Sequence, residues 1–241
     1  MTTLAPPLKT ATPIPVGPIP HRFGMAEYDR LKDLGVIPFG QRTELIRGLI
    51  IDILPDGDRR APHRFEVAEY DRAGELGLIP ENTELIRGEV IDKMPHGDPH
   101  SMCLDLMTRL LIGLIPMPTC VRCQSPVLMA RSAPEPDFSI STPAASRGGK
   151  RPTAADVYIL IEVSDSTLAG DRSTKLGLYA ENAIVEYWIV NLPDDCVEVH
   201  TRPDAAELRY DSRAVYGRGH SVPLEIAGLA AQAVPVDSLL P

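Results

Sequence analysis

Three side chains in the middle of the chain have the types and spacing that phosphodiester chemistry needs. Asp137 closes a Pro-Glu-Pro-Asp segment beginning at Pro134, Glu162 interrupts the apolar run from Tyr158 to Val163, and Lys175 follows Asp171 by four residues. Cutting a phosphodiester requires charge neutralisation on the phosphoryl oxygens, an activated water and help for the leaving group. A hard cation such as Mg²⁺ or Mn²⁺ supplies the first two when carboxylates hold it and waters remain in its shell. A nearby ammonium can then orient the water or stabilise the developing negative charge. Glu162 is the sharpest signal, because an ionised carboxylate in an apolar strand is costly unless paired or metal-bound. Taken singly the others are weaker. Asp137 also suits a turn before a strand, and Asp171 with Lys175 makes an ordinary i,i+4 helical ion pair that would fix the lysine.

The surrounding pattern predicts the elements that must hold these groups. Strands are expected near 121–129, 136–141, 156–163, 185–191 and 196–202, with a helix near 172–181 and a hairpin turn at Pro193-Asp194-Asp195. Asp137 and Glu162 then sit on adjacent strands and can converge. Upstream, Asp98-Pro99 reads as an N-cap and first-turn pair. The helix after it, from His100 to about Leu114, carries Cys103, Leu106, Met107, Leu110, Leu111 and Leu114 at 3–4 spacing, which is a core-facing stripe. Tyr179 and Trp188 read as core. Beyond 207 the alternation is weak and predicts edge strands and a tail. The sum is an α/β domain with a mixed sheet flanked by helices.

The front of the chain repeats itself. The ten residues from His21 to Arg30 recur from His63 to Arg72, and Thr43-Glu-Leu-Ile-Arg-Gly48 recurs as Thr83-Glu-Leu-Ile-Arg-Gly88. The offset drops from 42 to 40 because the first copy has two more residues between Pro38 and Thr43. Two copies are too few for a solenoid. Each reads as a helix followed by a hairpin, with Gly77 ending the second helix and Gly88 supplying the positive φ of a tight turn. Leu85 and Val90 would cover one face of that ribbon. The expected organisation is a Pro-rich flexible leader (1–20), a first helix-hairpin copy (21–62) and a main domain (63–241). The first copy either extends the fold, packs as an appendage or stays loose.

Composition bounds the function classes. In 241 residues the formal net charge is −9, which argues against tight sequence-independent binding to nucleic acid, since that rests on neutralising phosphates. A local basic loop at Arg147, Lys150 and Arg151 could offset this. No apolar run suggests a membrane span, and Met1–Pro20 lacks the order of a secretory signal; a cytoplasmic protein is expected. Cys120 and Cys123 have zinc-knuckle spacing without a second pair, so Cys103, Cys120, Cys123 and Cys196 read as buried or semi-buried free thiols. Gly148-Gly149-Lys150-Arg151 lacks the phosphate-loop pattern. Ser164 and Ser166 lie in no nucleophile elbow.

Six segments in order resemble one family: Glu84–Ile91, Pro134–Asp137, Leu160–Ser164, Asp171–Lys175, Leu178–Ala180 and Glu186–Val190. They are similar to the Uma-type restriction endonucleases, a large bacterial group in the PD-(D/E)XK nuclease superfamily long catalogued as a domain of unknown function. The resemblance covers about residues 63–202 and implies a restriction-endonuclease-like core, a divalent metal (Mg²⁺ or Mn²⁺) and DNA as substrate; homodimers are common in the superfamily. It implies that Asp137 and Glu162 hold the metal, that Glu84 completes its shell, and that Lys175 takes the role of the lysine usually found two positions after the motif Glu, where this chain has Ser164. His100 and Tyr179 match recurrent positions without an assigned role. Asn191 stands where the family usually has Asp. Glu44 is the repeat equivalent of Glu84, but Glu84 is favoured because only a short segment separates it from the His100 helix. The alternative is a catalytically silent binding or regulatory protein on a nuclease fold.

Overall fold

The computed structural model describes residues 18–144 and 150–241. A six-stranded mixed sheet forms its centre. In chain order its strands are β7 (Cys120–Cys123), β8 (Phe138–Ser141), β9 (Val157–Ser164), β10 (Glu186–Asn191), β11 (Cys196–Asp204) and β12 (Arg209–Gly217), and they lie side by side in that order. Only β9 and β10 run parallel; the other neighbours are antiparallel. A parallel pair needs a crossover, and here it is the helical segment 168–181.

The period of β9 sets the two faces of the sheet. Ile159, Ile161 and Val163 point to one core, shared with Cys103, Met107 and Leu111 of helix α3 (Asp98–Leu114) and with Val222, Leu224 and Val234 of a C-terminal hairpin, β13 (Ser221–Leu224) and β14 (Gln232–Pro235). Leu160 points the other way, into a core with Leu178, Tyr179, Tyr187 and Ile189. Glu162 alternates onto this second face. Trp188 lies fully buried in the first core.

Several local expectations are corrected. Gly97, not Asp98, is the residue before the first turn of α3, and Asp98 is an acid within that turn. Strand β7 stops at Cys123, well short of 129. Gln124 takes φ +44° and its N–H donates to the Asp137 carbonyl, so the chain bends there. Cys123 is exposed rather than buried. The crossover helix is not uniform: α4 (Leu168–Gly170) passes through a π-helical turn at Asp171–Lys175 into α5 (Leu176–Glu181). Such turns widen the helix locally and recur at functional sites. Beyond 207 the expected edge strands are present: residues 209–217 form the long edge strand of the main sheet.

At the front, α1 (Met25–Asp33) precedes the hairpin β2 (Thr43–Ile46)–β3 (Leu49–Ile53), and α2 (Val67–Glu75) precedes β5 (Thr83–Ile86)–β6 (Glu89–Asp92). Both turns place Arg-Gly at positive φ, Arg47 and Gly48 at 52° and 78°, Arg87 and Gly88 at 48° and 77°. That double left-handed geometry matches the twist of the strands it joins. Two short strands complete this region, β1 (Ile19–Pro20) and β4 (Arg60–Pro62). The expected leader therefore becomes ordered strand by Ile19; residues 1–17 lie outside the described residues. The segment from 21 to 62 shares one hydrophobic core with 63–92, built from Phe23, Tyr28, Leu31, Phe65, Leu78 and Leu85 among others.

Candidate active site

Four elements bring the expected residues to one cavity of about 170 Å³. Glu84 comes from β5, Asp137 from the residue before β8, Glu162 from β9, and Lys175 from the end of the π turn; all four line the cavity. Asp137 and Glu162 meet because β8 and β9 are hydrogen-bonded neighbours: the Asp137 N–H donates to Glu162 Oε2 at 3.3 Å, and the Val163 N–H donates to Asp137 Oδ2 at 2.8 Å. The Pro-Glu-Pro-Asp segment also passes β5, where the Glu135 N–H donates to Glu84 Oε2 at 3.2 Å.

Lys175 ties the set together. Its Nζ lies 2.6 Å from Glu84 Oε2 and 3.4 Å from Glu162 Oε1. The expected partner Asp171 is engaged elsewhere, accepting hydrogen bonds from Ser164 Oγ and Thr167 Oγ1, each at 2.7 Å. Asp171 thus acts on the lysine through space rather than by a contact. Tyr179, read from sequence as core, is fully buried but donates its hydroxyl to Glu162 Oε1 at 2.5 Å. Asn191 closes the β10–β11 turn: its amide donates to Asp194 Oδ2 and Glu198 Oε1, and its oxygen accepts from the Asp194 N–H.

The electrostatics follow from burial. Removal from water pushes the Glu162 carboxyl up to about 8; Lys175 opposes this, while Asp171 and Asp137 add to it. Burial likewise raises Asp171 against the pull of its two hydroxyl donors. For Lys175 burial works against the charge, but Glu162 and Glu84 outweigh it and hold the ammonium above the usual lysine range. Four acidic side chains therefore share a buried pocket with one lysine, and burial disfavours the ionised forms of two of them. A divalent cation would favour those ionised forms, and the oxygen donors of Glu84, Asp137 and Glu162 are of the kind that Mg²⁺ or Mn²⁺ takes.

Sequence reading named His100 without a role and missed His96, and the two make a second donor group with Asp137 beside the first. His100 Nε2 donates to Asp137 Oδ2 at 3.1 Å, and His96 stacks on His100 with ring centroids 4.0 Å apart. One nitrogen from each histidine and a carboxylate oxygen of Asp137 lie within 4.8 Å of one another, the only such trio of metal-type donors among the described residues. The expected trio is less compact because the lysine stands between Glu84 and Glu162. The His-x-x-x-His spacing, from His96 before α3 to His100 in its first turn, was the available signal. Of the expected basic loop, Arg147 lies outside the described residues, and Arg151 is tied in an ion pair to Asp71.

No curated protein matches the chain. A solved structure described as a putative nuclease belonging to DUF820 from Anabaena variabilis ATCC 29413 is similar at 16% identity and a TM-score of 0.47, over 69% of this chain and 95% of that one. The family model Uma2, described as "Putative restriction endonuclease", matches residues 75–235. That span holds Glu84, Asp137, Glu162 and Lys175 and leaves out the first helix and hairpin. Matching well over half of the sequence, it establishes that the chain belongs to the Uma2 family.

Proposed function

We propose that the chain is a Mg²⁺- or Mn²⁺-dependent endonuclease that hydrolyses DNA phosphodiester bonds in the cytoplasm, on a restriction-endonuclease-like core. The observation that carries this reading is the Lys175 ammonium held at 2.6 and 3.4 Å from Glu84 and Glu162 in a cavity shared with Asp137. Asp137, Glu162 and Glu84 would hold the ion, which when bound would supply charge neutralisation and an activated water. The chain's own groups then fix the geometry. Val163 N–H and His100 orient Asp137, and Tyr179 orients Glu162. Lys175 keeps its proton and stands ready to stabilise charge on the phosphoryl oxygens.

The test is cleavage of supercoiled plasmid with Mg²⁺ or Mn²⁺, comparing wild type with Asp137→Ala and Lys175→Ala. Metal-dependent cutting lost in both variants is expected; equal cutting by all three sinks the assignment. A parallel readout is thermal stabilisation by the metal, about 2.7 kcal/mol at a hundredfold excess over Kd, lost in Asp137→Ala and Glu162→Ala. The rival reading, a silent binding scaffold, draws on the net charge of −9 and on the engagement of Arg151 by Asp71. Metal stabilisation without any cleavage would favour it.

A further inference from the structure

The two helix–hairpin segments are joined in a way that their likeness in sequence does not require. The short strand leading into each segment does not pair with its own hairpin but with the other's. Ile19 and Pro20 stand opposite Asp92 and Ile91, while Ala61 and Pro62 stand opposite Asp52 and Ile51. Under the repeat these are the same positions in the same register. The next residue continues the match: the His21 N–H donates to the Val90 carbonyl at 2.8 Å, and the His63 N–H to the Ile50 carbonyl at 2.9 Å. Each histidine also meets the aspartate at the end of the opposite hairpin, His21 Nδ1 to Asp92 Oδ1 at 2.7 Å and His63 Nδ1 to Asp52 Oδ1 at 2.9 Å.

Past the histidines each chain segment returns to its own hairpin. The Phe23 N–H donates to the Gly48 carbonyl at 2.9 Å, and the Phe65 N–H to the Gly88 carbonyl at 2.8 Å. The two phenylalanine rings stack across the junction with centroids 5.7 Å apart. A reciprocal crossing in which i meets j and j meets i is the geometry of a two-fold, self-complementary interface between identical units. Here both units are in one chain.

We infer that this interface is a fused dimer: residues 19–53 fill the place that a second copy of the 61–92 unit fits. They supply in cis a strand that a partner subunit would otherwise supply in trans. The candidate site depends on that strand. Pro18 and Ile19 line its cavity beside Asp92 and Lys93, so one wall comes from the first unit. The equivalent wall on the other side, Arg60–Pro62, covers a hairpin whose Glu44 faces no counterpart of Lys175 among the described residues and pairs with Arg60 instead. A symmetric dimer would carry two centres about its axis; the described residues carry one. On the nuclease reading proposed above, it acts as a monomer that breaks one strand per encounter.

Hydrogen exchange on the full chain, resolved by peptide, tests the interface without reference to activity. Asp92→Asn should deprotect the amides around 19–21, and Asp52→Asn those around 61–63. Each variant should leave the other leading strand unchanged. Deprotection of the leading strand of the variant's own unit, or no change in either, overturns the inference. Sedimentation velocity should give one species at the 26.3 kDa monomer mass; a stable dimer counts against it. In the plasmid assay nicked circles should accumulate before linear product, whereas linear product formed directly from supercoiled DNA overturns the single-centre consequence. Crossed deprotection with no cleavage at all would remove the nuclease reading and leave the fused interface standing.

Discussion

The tetrapeptide Thr-Glu-Leu-Ile occurs twice, and the two copies have different fates. In β5 all four residues are buried; in β2 none is. The Glu84 side chain is 10% exposed and sits against Lys175, while the Glu44 side chain is 40% exposed and pairs with Arg60. Nothing local distinguishes them, since both precede an Arg-Gly turn with nearly the same dihedrals. The difference comes from a later part of the chain. The segment 131–135 runs over β5: the Ala133 N–H donates to the Leu85 carbonyl at 2.8 Å and the Arg87 N–H donates to Ser132 Oγ at 2.7 Å. No equivalent segment crosses β2 among the described residues. One unit's glutamate thus faces the buried lysine, while its twin's pairs with an arginine at the surface.

Paired substitutions break or sharpen this contrast. The largest expected effect is on cleavage: Glu84→Gln should lower the metal-dependent rate by roughly 10²–10³-fold, the scale for losing one charge-stabilising group in a site, and Glu44→Gln should leave it within about twofold. Equal losses in both would erase the distinction. Stability should show the opposite symmetry where the two units are alike. Phe23→Ala and Phe65→Ala should each cost about 3–5 kcal/mol by denaturant unfolding, because each removes a buried ring from the shared core. A large effect from only one would mean that the units do not depend on each other equally.

The ion pairs should separate the units again. Lys175→Ala leaves two buried carboxylates without their cation and should cost about 3–5 kcal/mol. Arg60→Ala removes an exposed pair of the kind that contributes little, and its Tm should stay within about a degree of wild type. A Tm for Arg60→Ala as low as that of Lys175→Ala would show that the first hairpin holds more than a surface pair. The smallest effect is the most symmetric. Gly48→Ala and Gly88→Ala force a Cβ into left-handed backbone, about 1–2 kcal/mol each, and at both sites the added atom meets an arginine Cβ at 3.0 Å, Arg22 or Arg64. Similar Tm losses are expected.

The sequence made much of the frame legible. Strands β8 to β11 and helix α3 fall where alternation and 3–4 spacing place them, because each buries one face against a core and the pattern of side chains must follow. The failures are instructive for the same reason. The expected strand through 129 ends at Cys123, because the Gln124 backbone takes positive φ and its N–H donates to the Asp137 carbonyl, neither of which leaves a periodic mark. Tyr179 looked like core and is core, yet its one polar atom reaches Glu162. The Asp171–Lys175 spacing suggested an ion pair that partners from other elements pre-empted.

What the sequence alone determined is the inventory: an acid in an apolar strand, an acid after two prolines, a lysine on the following helix, and a unit written twice. Those are local facts, fixed by residue type and period. Only the tertiary structure decided which glutamate of the two copies faces the lysine, that His96 and His100 join Asp137, and that each leading strand crosses to the other hairpin. These depend on contacts between residues tens of positions apart. Such contacts are selected by which buried groups find partners once the chain is compact, and identical segments cannot announce beforehand which of them will be covered.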